Sequence, residues 1–270
     1  MRFIQHKAEA LWFYRVVSMG YDRWINPLFW TAPMRDEALE LAALDDAGLA
    51  VLDVGAGTGF TTSAIVGPVA PERVTMLDQS PHQLARAARK PALRAVRKLR
   101  GDAEALPFAD EAFDRYVSAG SIEYWPDPQR AIAEAFRVLR PGGRAVVVGP
   151  LRRSHPLARA LSDAWMLFPA EDEYVAWMQR AGFVEIERRH VAPPWWRPGW
   201  DAYGIAIAGR KLRSGPPALA AAPPREAASE RLGPVRLGRF ALGSLAGAAF
   251  IPVALWFTAR ERLRRWGRRR

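Results

Sequence analysis

Short apolar runs alternate with longer segments of helical spacing between residues 51 and 208. The short runs predict buried strands, and the longer segments predict helices. This alternation is typical of an α/β domain with a doubly wound, mostly parallel sheet, here with seven strands in a Rossmann-like arrangement. The strands are expected at residues 51–54, 73–77, 96–99, 113–119, 144–148, 183–191 and 203–208.

The pattern divides the chain into four regions. Residues 1–45 are rich in aromatic side chains and predict an N-terminal helical cap, and residues 46–213 form the predicted α/β domain. Residues 214–236 are rich in proline and alanine, which indicates a linker, and residues 237–270 form a C-terminal region. Outside the glycine turn described below, helices are expected at 8–17, 34–44, 81–89, 128–139 and 171–181.

The C-terminal region contains 20 consecutive uncharged residues, from Phe240 to Ala259. As a helix this segment would be about 30 Å long, which matches the hydrocarbon thickness of a bilayer. Arg236 and Arg239 precede it, and the arginine-rich residues 260–270 follow it. We therefore expect a transmembrane anchor, and the sequence leaves open which end of it faces which side of the membrane. An amphipathic or buried helix docked on the domain is the alternative.

The net charge does not indicate a nucleic-acid partner. The chain has 39 Lys and Arg residues against 28 Asp and Glu, a formal charge of +11, but residues 225–270 contribute 11 arginines and three glutamates, or +8. The α/β domain is therefore close to neutral, and the terminal arginines border an apolar segment.

The absence of cysteine excludes disulfides and cysteine-ligated metals. Residues 1–10 lack an apolar core, so no signal peptide is expected there.

A glycine-rich turn follows the first strand. Residues 53–59, DVGAGTG, have the spacing D-x-G-x-G-x-G, which is neither a dinucleotide-binding fingerprint nor a P-loop. Glycines let the backbone approach a ligand closely, and a helix that follows presents its free N–H groups. The acidic Asp53 suits a cationic amino acid, and a purely structural turn is the alternative. The pattern resembles motif I of the S-adenosylmethionine-dependent methyltransferases.

That resemblance implies the class I methyltransferase fold and S-adenosylmethionine as the cofactor, held at the ends of neighbouring strands. Gly55, Gly57 and Gly59 would hold the methionine half. Asp53 would lie near its ammonium group, directly or through water, and Asp78 would accept hydrogen bonds from the ribose hydroxyls. The remaining expected cofactor contacts are Gln79, Asp102, Ala103 and Ser118.

Longer segments carry a closer resemblance, which covers nearly the whole chain. They are similar to the plastid 2-methyl-6-phytyl-1,4-hydroquinone methyltransferases of plants and algae. That family often has glycine at the position of Ala56, and alanine is a harmless change in the turn. The resemblance implies C-methylation of 2-methyl-6-phytyl- and 2-methyl-6-solanesyl-1,4-benzoquinol in tocopherol and plastoquinone biosynthesis, without a metal. It also implies a chloroplast inner-envelope location in a photosynthetic eukaryote, although no transit peptide is expected before Met1. The matching segments are 12–15, 21–22, 25–27, 77–84, 118–128 and 165–169, together with the hydrophobic tail.

The implied reaction needs a base or hydrogen bond at a phenol hydroxyl, because a ring carbon becomes strongly nucleophilic as that hydroxyl loses its proton. Glu123 is the first candidate for the base, since it follows the fourth strand, where substrate and methyl group should meet. His82 and Asp127 are the other candidates, and Tyr124 is a candidate hydrogen-bond partner. The expected stacking contacts to the quinol ring are Trp125, Trp12, Tyr14 and Tyr21.

Other functions remain open at this stage. The nearest is a ubiquinone- or menaquinone-type C-methyltransferase, or a sterol methyltransferase, because the cofactor motifs do not separate these enzymes. More remote are an RNA methyltransferase and a membrane protein that binds S-adenosylmethionine without catalysis. The sequence favours a lipophilic prenylquinol and a membrane as partners, disfavours nucleic acid, and leaves the oligomeric state undetermined.

Overall fold

The structure, a computed structural model, describes residues 26–197, 199–218 and 234–267. Its centre is a seven-stranded sheet in the order β3-β2-β1-β4-β5-β7-β6. The first five strands in this order are parallel, and β7 is antiparallel to both of its neighbours. The strands are β1 (Val51–Val54), β2 (Val74–Asp78), β3 (Arg97–Arg100), β4 (Phe113–Ala119), β5 (Leu139–Pro150), β6 (Val184–Val191) and β7 (Gly204–Arg210).

Helices cover both faces of the sheet, and short 3₁₀ turns lie at Pro71–Arg73, Pro91–Leu93 and Ile122–Tyr124. The sheet is thus doubly wound, as predicted. The helices are α1 (Asn26–Phe29), α2 (Ala32–Glu40), α3 (Thr62–Ile65), α4 (Pro81–Ala87), α5 (Pro128–Val138), α6 (Pro156–Trp165), α7 (Glu171–Ala181), α8 (Pro234–Ala248) and α9 (Phe250–Gly267).

The core lies in two layers, one on each side of the sheet. All four residues of β1 are buried, and alternate side chains point to opposite faces. Leu52 packs in the layer that contains Phe136 of α5, and Val51 packs in the layer that contains Met34 of α2. This double burial explains why β1 is apolar throughout, apart from Asp53.

Side-chain caps fix where two helices begin. Ser80 Oγ accepts a hydrogen bond from the backbone N–H of Gln83 at the start of α4, as its position predicts. Asp127 Oδ1 accepts one from the backbone N–H of Arg130 at the start of α5. Asp127, one of the candidate bases, is thus engaged as a helix cap.

Three local predictions differ from the structure. The helix after the glycine turn is a single turn, Thr62–Ile65. The segment 140–143, expected to end a helix, is the first part of β5, where the Gly142 N–H donates to the Lys211 carbonyl at 2.6 Å. Helix α6 was not predicted, although Leu157, Leu161 and Trp165 recur with helical spacing; Ser162 is its one buried residue.

The C-terminal region forms two consecutive helices, α8 and α9, that meet at Ala249. Residues 241–261 are the one segment of the described chain that is long and apolar enough to cross a membrane by length and composition. Helix α8 packs on α6, where Gly247 lies so close to Trp165 that a Cβ on the glycine would be 2.5 Å from the indole ring. The Trp165 ring also stacks on Phe250, with centroids 6.0 Å apart.

Candidate active site

The carboxyl ends of the parallel strands open into a cavity of about 340 Å³. This size is within the usual range for a small-molecule site. Its polar lining includes Gly57, Asp78, Asp102 and Glu123. The predicted contacts Gly55, Gln79, Ala103, Tyr124 and Trp125 also line it.

The three glycines of the turn all have positive φ but serve different purposes. Gly57, at φ 55°, has nothing within 4 Å of an added Cβ, so its backbone faces open space in the cavity. An added Cβ would lie 2.4 Å from Ser121 at Gly55 and 2.3 Å from Leu93 at Gly59. Gly57 is therefore the glycine that leaves room for a ligand, whereas Gly55 and Gly59 permit close packing behind it.

Asp78 ties the glycine turn to the end of β2. Its Oδ2 accepts a hydrogen bond from the Gly57 N–H at 2.8 Å, and its Oδ1 accepts one from the Ser80 N–H at 2.8 Å. Burial raises the pKa of this carboxyl to about 6, despite the two bonds that favour its ionised form. A carboxylate has about four acceptor positions, so further ones remain for ribose hydroxyls.

Asp53 lies behind the turn and does not line the cavity. Its Oδ2 accepts a hydrogen bond from Thr62 Oγ at 2.6 Å, and its Oδ1 has no hydrogen-bond partner among the described residues. Burial, reinforced by the charge of Asp78, raises its pKa to about 7. Ser118 is likewise fully buried, with its hydroxyl 2.7 Å from that of Ser121. Ser121 lines the cavity in its place.

The loop after β3 and one unpredicted amide also contribute to the lining. The Gly101 N–H donates to the Asp78 carbonyl at 3.1 Å, and Asp102 Oδ1 accepts from the Glu104 N–H at 3.0 Å. Gln83 of α4 lines the cavity with 3% of its surface exposed, and its Oε1 has no partner in the described chain. This residue was missed, because its position three residues after Ser80 indicates a role in the helix cap.

Glu123 sits on the 3₁₀ turn after β4 and is the acid that faces the cavity next to aromatic side chains. Its backbone carbonyl accepts a hydrogen bond from the Leu167 N–H at 3.1 Å. Its Oε2 is shielded from solvent and has no hydrogen-bond partner among the described residues. Burial raises its pKa to about 7, a value suited to a general base near neutral pH. His82, by contrast, is exposed and does not line the cavity.

Aromatic side chains from several distant segments also line the cavity and are here called the aromatic wall. Tyr203 donates a hydrogen bond from its hydroxyl to the Phe29 carbonyl at 2.9 Å and presents its ring to the site. Arg153 is buried against two of these rings, with its Cζ 5.8 Å from the Phe168 ring centroid and 5.0 Å from that of Tyr203. Local sequence gave no signal for this wall, because its parts are distant in the chain. Its members are Phe29, Trp30, Trp165, Phe168 and Tyr203.

The predicted membrane segment contributes the remaining wall. Ser244, Gly247 and Ala248 of α8 and Ile251 of α9 also line the cavity. The expected substrate contacts Trp12, Tyr14 and Tyr21 lie outside the described residues. Within the described ranges, no group of three or more His, Asp or Glu side chains is arranged to hold a metal ion.

Known proteins share both the sequence and the fold. The methyltransferase-domain family matches residues 52–147. The 2-methyl-6-phytyl-1,4-hydroquinone methyltransferase 2, chloroplastic, of Oryza sativa is 50% identical over 262 residues, which cover 94% of this chain and 75% of that protein. The chain belongs to the 2-methyl-6-phytyl-1,4-hydroquinone methyltransferase family.

Two further proteins show a weaker similarity to the chain. The ubiquinone/menaquinone biosynthesis C-methyltransferase of Bartonella bacilliformis is 28% identical over 209 residues, or 65% of this chain and 76% of that protein. A crystal structure of a SAM-dependent methyltransferase from Thermotoga maritima, a possible histamine N-methyltransferase, has a TM-score of 0.57 at 24% identity and covers 74% of this chain and 97% of that one. The predicted fold and the predicted S-adenosylmethionine-dependent methyltransferase class are confirmed.

Proposed function

We propose that the chain methylates a ring carbon of a prenylated 1,4-hydroquinone, the step to tocopherols and plastoquinone. One observation carries this proposal: Glu123 and the open backbone of Gly57 face a single cavity that also has an aromatic wall and an apolar wall from α8 and α9. Such a cavity suits a hydrophobic aromatic substrate beside a polar cofactor. The relative from Oryza sativa is named for the phytyl-substituted member of this class.

The cofactor half of the cavity suits S-adenosylmethionine. When bound, S-adenosylmethionine supplies an electrophilic methyl group on a sulfonium. We assign Gly57 and Gly55 to its amino-acid half, and Asp78 and Gln79 to its ribose. The orphaned Oε1 of Gln83 and the free space at Gly57 are the observations that support a ligand here. Asp102 and Ala103 are assigned to the adenine.

Three of the predicted cofactor contacts do not line the cavity and are assigned supporting roles instead: Asp53, Gly59 and Ser118. Asp53 fixes the start of α3 through its hydrogen bond with Thr62. Gly59 allows the turn to pack against Leu93. Ser118 holds Ser121 at the cavity wall.

Glu123 is the proposed general base. It accepts the proton of the hydroxyl next to the reacting carbon, and the oxygen's electron density then raises the nucleophilicity of that carbon. Tyr124 is assigned as its hydrogen-bond partner and Trp125 as a stacking surface, since both line the cavity. We do not assign His82 as the base, because its exposed position is outside the cavity. Stacking by Trp12, Tyr14 and Tyr21 remains a prediction.

The C-terminal helices are proposed to anchor the enzyme in a membrane, beside its lipophilic substrate. Large apolar side chains on them are exposed, with Leu245 at 68% and Trp256 at 67% of their surface. Exposed apolar surface of this extent is typical of contact with lipid or a partner. In a photosynthetic eukaryote we assign the enzyme to the chloroplast inner envelope, in keeping with the chloroplastic name of the relative.

The test is purified full-length enzyme in lipid nanodiscs, with methyl-labelled S-adenosylmethionine and a panel of acceptors. The panel contains 2-methyl-6-phytyl- and 2-methyl-6-solanesyl-hydroquinone, a demethylmenaquinol, a demethylated ubiquinol precursor, a sterol and total RNA. We expect label on the two 2-methyl-6-prenyl-hydroquinones. Label confined to any other acceptor, or to none while S-adenosylmethionine still binds, would contradict the proposal.

A further inference from the structure

Arg153 is a buried cation in the wall of the cavity. It follows the end of β5, and 8% of its surface is exposed. Its Nη1 donates to the Ala202 carbonyl at 3.1 Å, and its Nη2 donates to the Tyr203 carbonyl at 2.8 Å. The side chain thus joins the loop after β5 to the loop before β7.

No carboxylate within the described part of the chain lies close enough to form an ion pair with this guanidinium. Asp201 is the acid whose charge reaches it, but both Asp201 carboxylate oxygens bond to Ser154. Aromatic rings surround Arg153 instead, with its Cζ 4.9 Å from the Trp196 ring centroid and 5.0 Å from that of Tyr203. A buried charge without a counter-ion is costly unless a ligand supplies one.

The geometry leaves Arg153 with capacity for such a ligand. A guanidinium has five N–H donors, and the two backbone carbonyls engage two of its nitrogens once each. Arg153 borders the same cavity as Glu123, on the side of the aromatic wall. Desolvation lowers its pKa from the ordinary arginine value. In the same desolvated surroundings, attraction between the guanidinium and a negative charge would be strong.

We infer that Arg153 binds the substrate oxygen that becomes negative during the reaction, and so positions the hydroquinone ring. This inference rests on the proposed function. Glu123 takes the hydroxyl proton, and the electron pair left on the oxygen moves into the ring. The ring carbon then bonds to the methyl carbon while the methyl–sulfur bond breaks, with its electron pair staying on sulfur. Finally the ring carbon loses its hydrogen as a proton and the oxygen regains one, so that one proton is released overall.

The test compares Arg153→Met and Arg153→Lys with the matched control Arg152→Met. Arg152, the adjacent residue, makes an ion pair with Glu173 at 2.7 Å and does not line the cavity. Full-length proteins in nanodiscs are titrated with a prenylated 4-nitrophenol, whose ionised form absorbs visible light, and with the corresponding methyl ether. Affinity for S-adenosylmethionine is measured by calorimetry as a check of the folded cofactor site.

We expect the wild type and Arg152→Met to bind the nitrophenol in its ionised form. Arg153→Met should bind the nitrophenol at least about tenfold more weakly and in its neutral form. Its kcat with the prenylated hydroquinone should fall about 100-fold, the loss typical of removing one oxyanion donor. Arg153→Lys should keep part of both signals. Affinity for the methyl ether and for S-adenosylmethionine should stay within twofold in every variant.

Two results would overturn the inference. One is an Arg153→Met protein that still ionises the bound nitrophenol. The other is an equal loss for the phenol, the ether and S-adenosylmethionine in both Arg153 variants, since that would mean a purely structural role. The nitrophenol titration does not depend on turnover. It therefore separates failure of this inference from failure of the proposed methyl transfer.

Discussion

The backbone N–H of Gly57 and the carboxylate of Asp78 are joined by a hydrogen bond of 2.8 Å. This bond links the glycine of the turn that leaves room for a ligand to the acid at the end of the neighbouring strand. Because the carboxylate also holds the Ser80 N–H, the turn and the start of α4 are positioned by a single side chain. The geometry of the cofactor site therefore depends on the ionisation of Asp78.

Asp78→Asn should lower the affinity for S-adenosylmethionine about 10- to 100-fold. The amide provides one carbonyl oxygen where the carboxylate provides two acceptors, and a hydrogen bond to a charged group contributes about 1.5–3 kcal/mol. Isothermal titration calorimetry measures the change. The control is Asp46→Asn, since Asp46 is exposed and also accepts a backbone N–H, from Gly48 at 2.8 Å. Equal affinity in the wild type and Asp78→Asn would remove Asp78 from the cofactor site.

Glu123→Gln should reduce kcat about 100- to 10,000-fold while the affinity for S-adenosylmethionine stays unchanged, because the amide keeps the shape but accepts no proton. In the wild type, kcat/KM should rise with pH and level off above about 7, because the base must lose the proton that burial holds on it. Initial rates from pH 5.5 to 8.5 test this, with the exposed Glu72→Gln as control. A flat profile would rule out Glu123 as the base.

Those residues that are fixed by sheet topology could be predicted from the sequence. Asp78 is the last residue of one parallel strand and Asp102 follows another, and the carboxyl ends of such strands meet at one edge. Glu123 was placed by the same reasoning, and the structure puts all three in one cavity. Once the strands are placed in a parallel sheet, the residues at their carboxyl ends must lie at that edge, so these three positions could be predicted.

Residues that reach the cavity through packing of distant segments could not be predicted. Arg153 and Tyr203 are joined by a bond between residues 50 positions apart, and no local pattern encodes it. Gly247 enters the site because α8 packs on Trp165 at the end of α6, a contact between segments that are distant in the chain. Asp127 shows the converse, since its sequence position suggested a base and its side chain caps α5.

Asp53→Asn should change how stability depends on pH. The pKa of Asp53 is raised to about 7 in the folded protein, so between about pH 4 and 7 the folded state keeps a proton that the unfolded chain has released. Stability therefore falls as pH rises through this window and is constant above it. The neutral amide avoids that loss, and its carbonyl can still accept from Thr62.

The free energy of unfolding, measured by denaturant titration in detergent at pH 5 and pH 8, checks this prediction. The drop between the two values should be smaller in Asp53→Asn by about 2–4 kcal/mol, since each pKa unit corresponds to about 1.4 kcal/mol. Asp46→Asn should leave the drop unchanged, because Asp46 is exposed. An identical drop in the wild type and Asp53→Asn would show that Asp53 is ionised at both pH values.

Gly247→Val should impair the use of long-tailed acceptors more than short-tailed ones. An added Cβ would lie 2.5 Å from the Trp165 ring, so a valine must displace the indole or lift α8 from the cavity. Either movement alters the apolar wall that α8 provides and leaves the glycine turn untouched. We expect KM for the solanesyl hydroquinone to rise about tenfold, with a smaller rise for a short prenyl analogue and no change in S-adenosylmethionine affinity.

Gly238→Val is the matched control, because Gly238 lies on the same helix with nothing within 4 Å of an added Cβ. It carries the same loss of glycine and the same added volume, but it does not line the cavity. If Gly247→Val and Gly238→Val had the same effect on every acceptor, α8 would serve as an anchor alone. A selective rise in KM for the long tail at Gly247 would instead mean that the apolar C-terminal segment forms part of the substrate site, so that anchoring and substrate selection depend on the same helix.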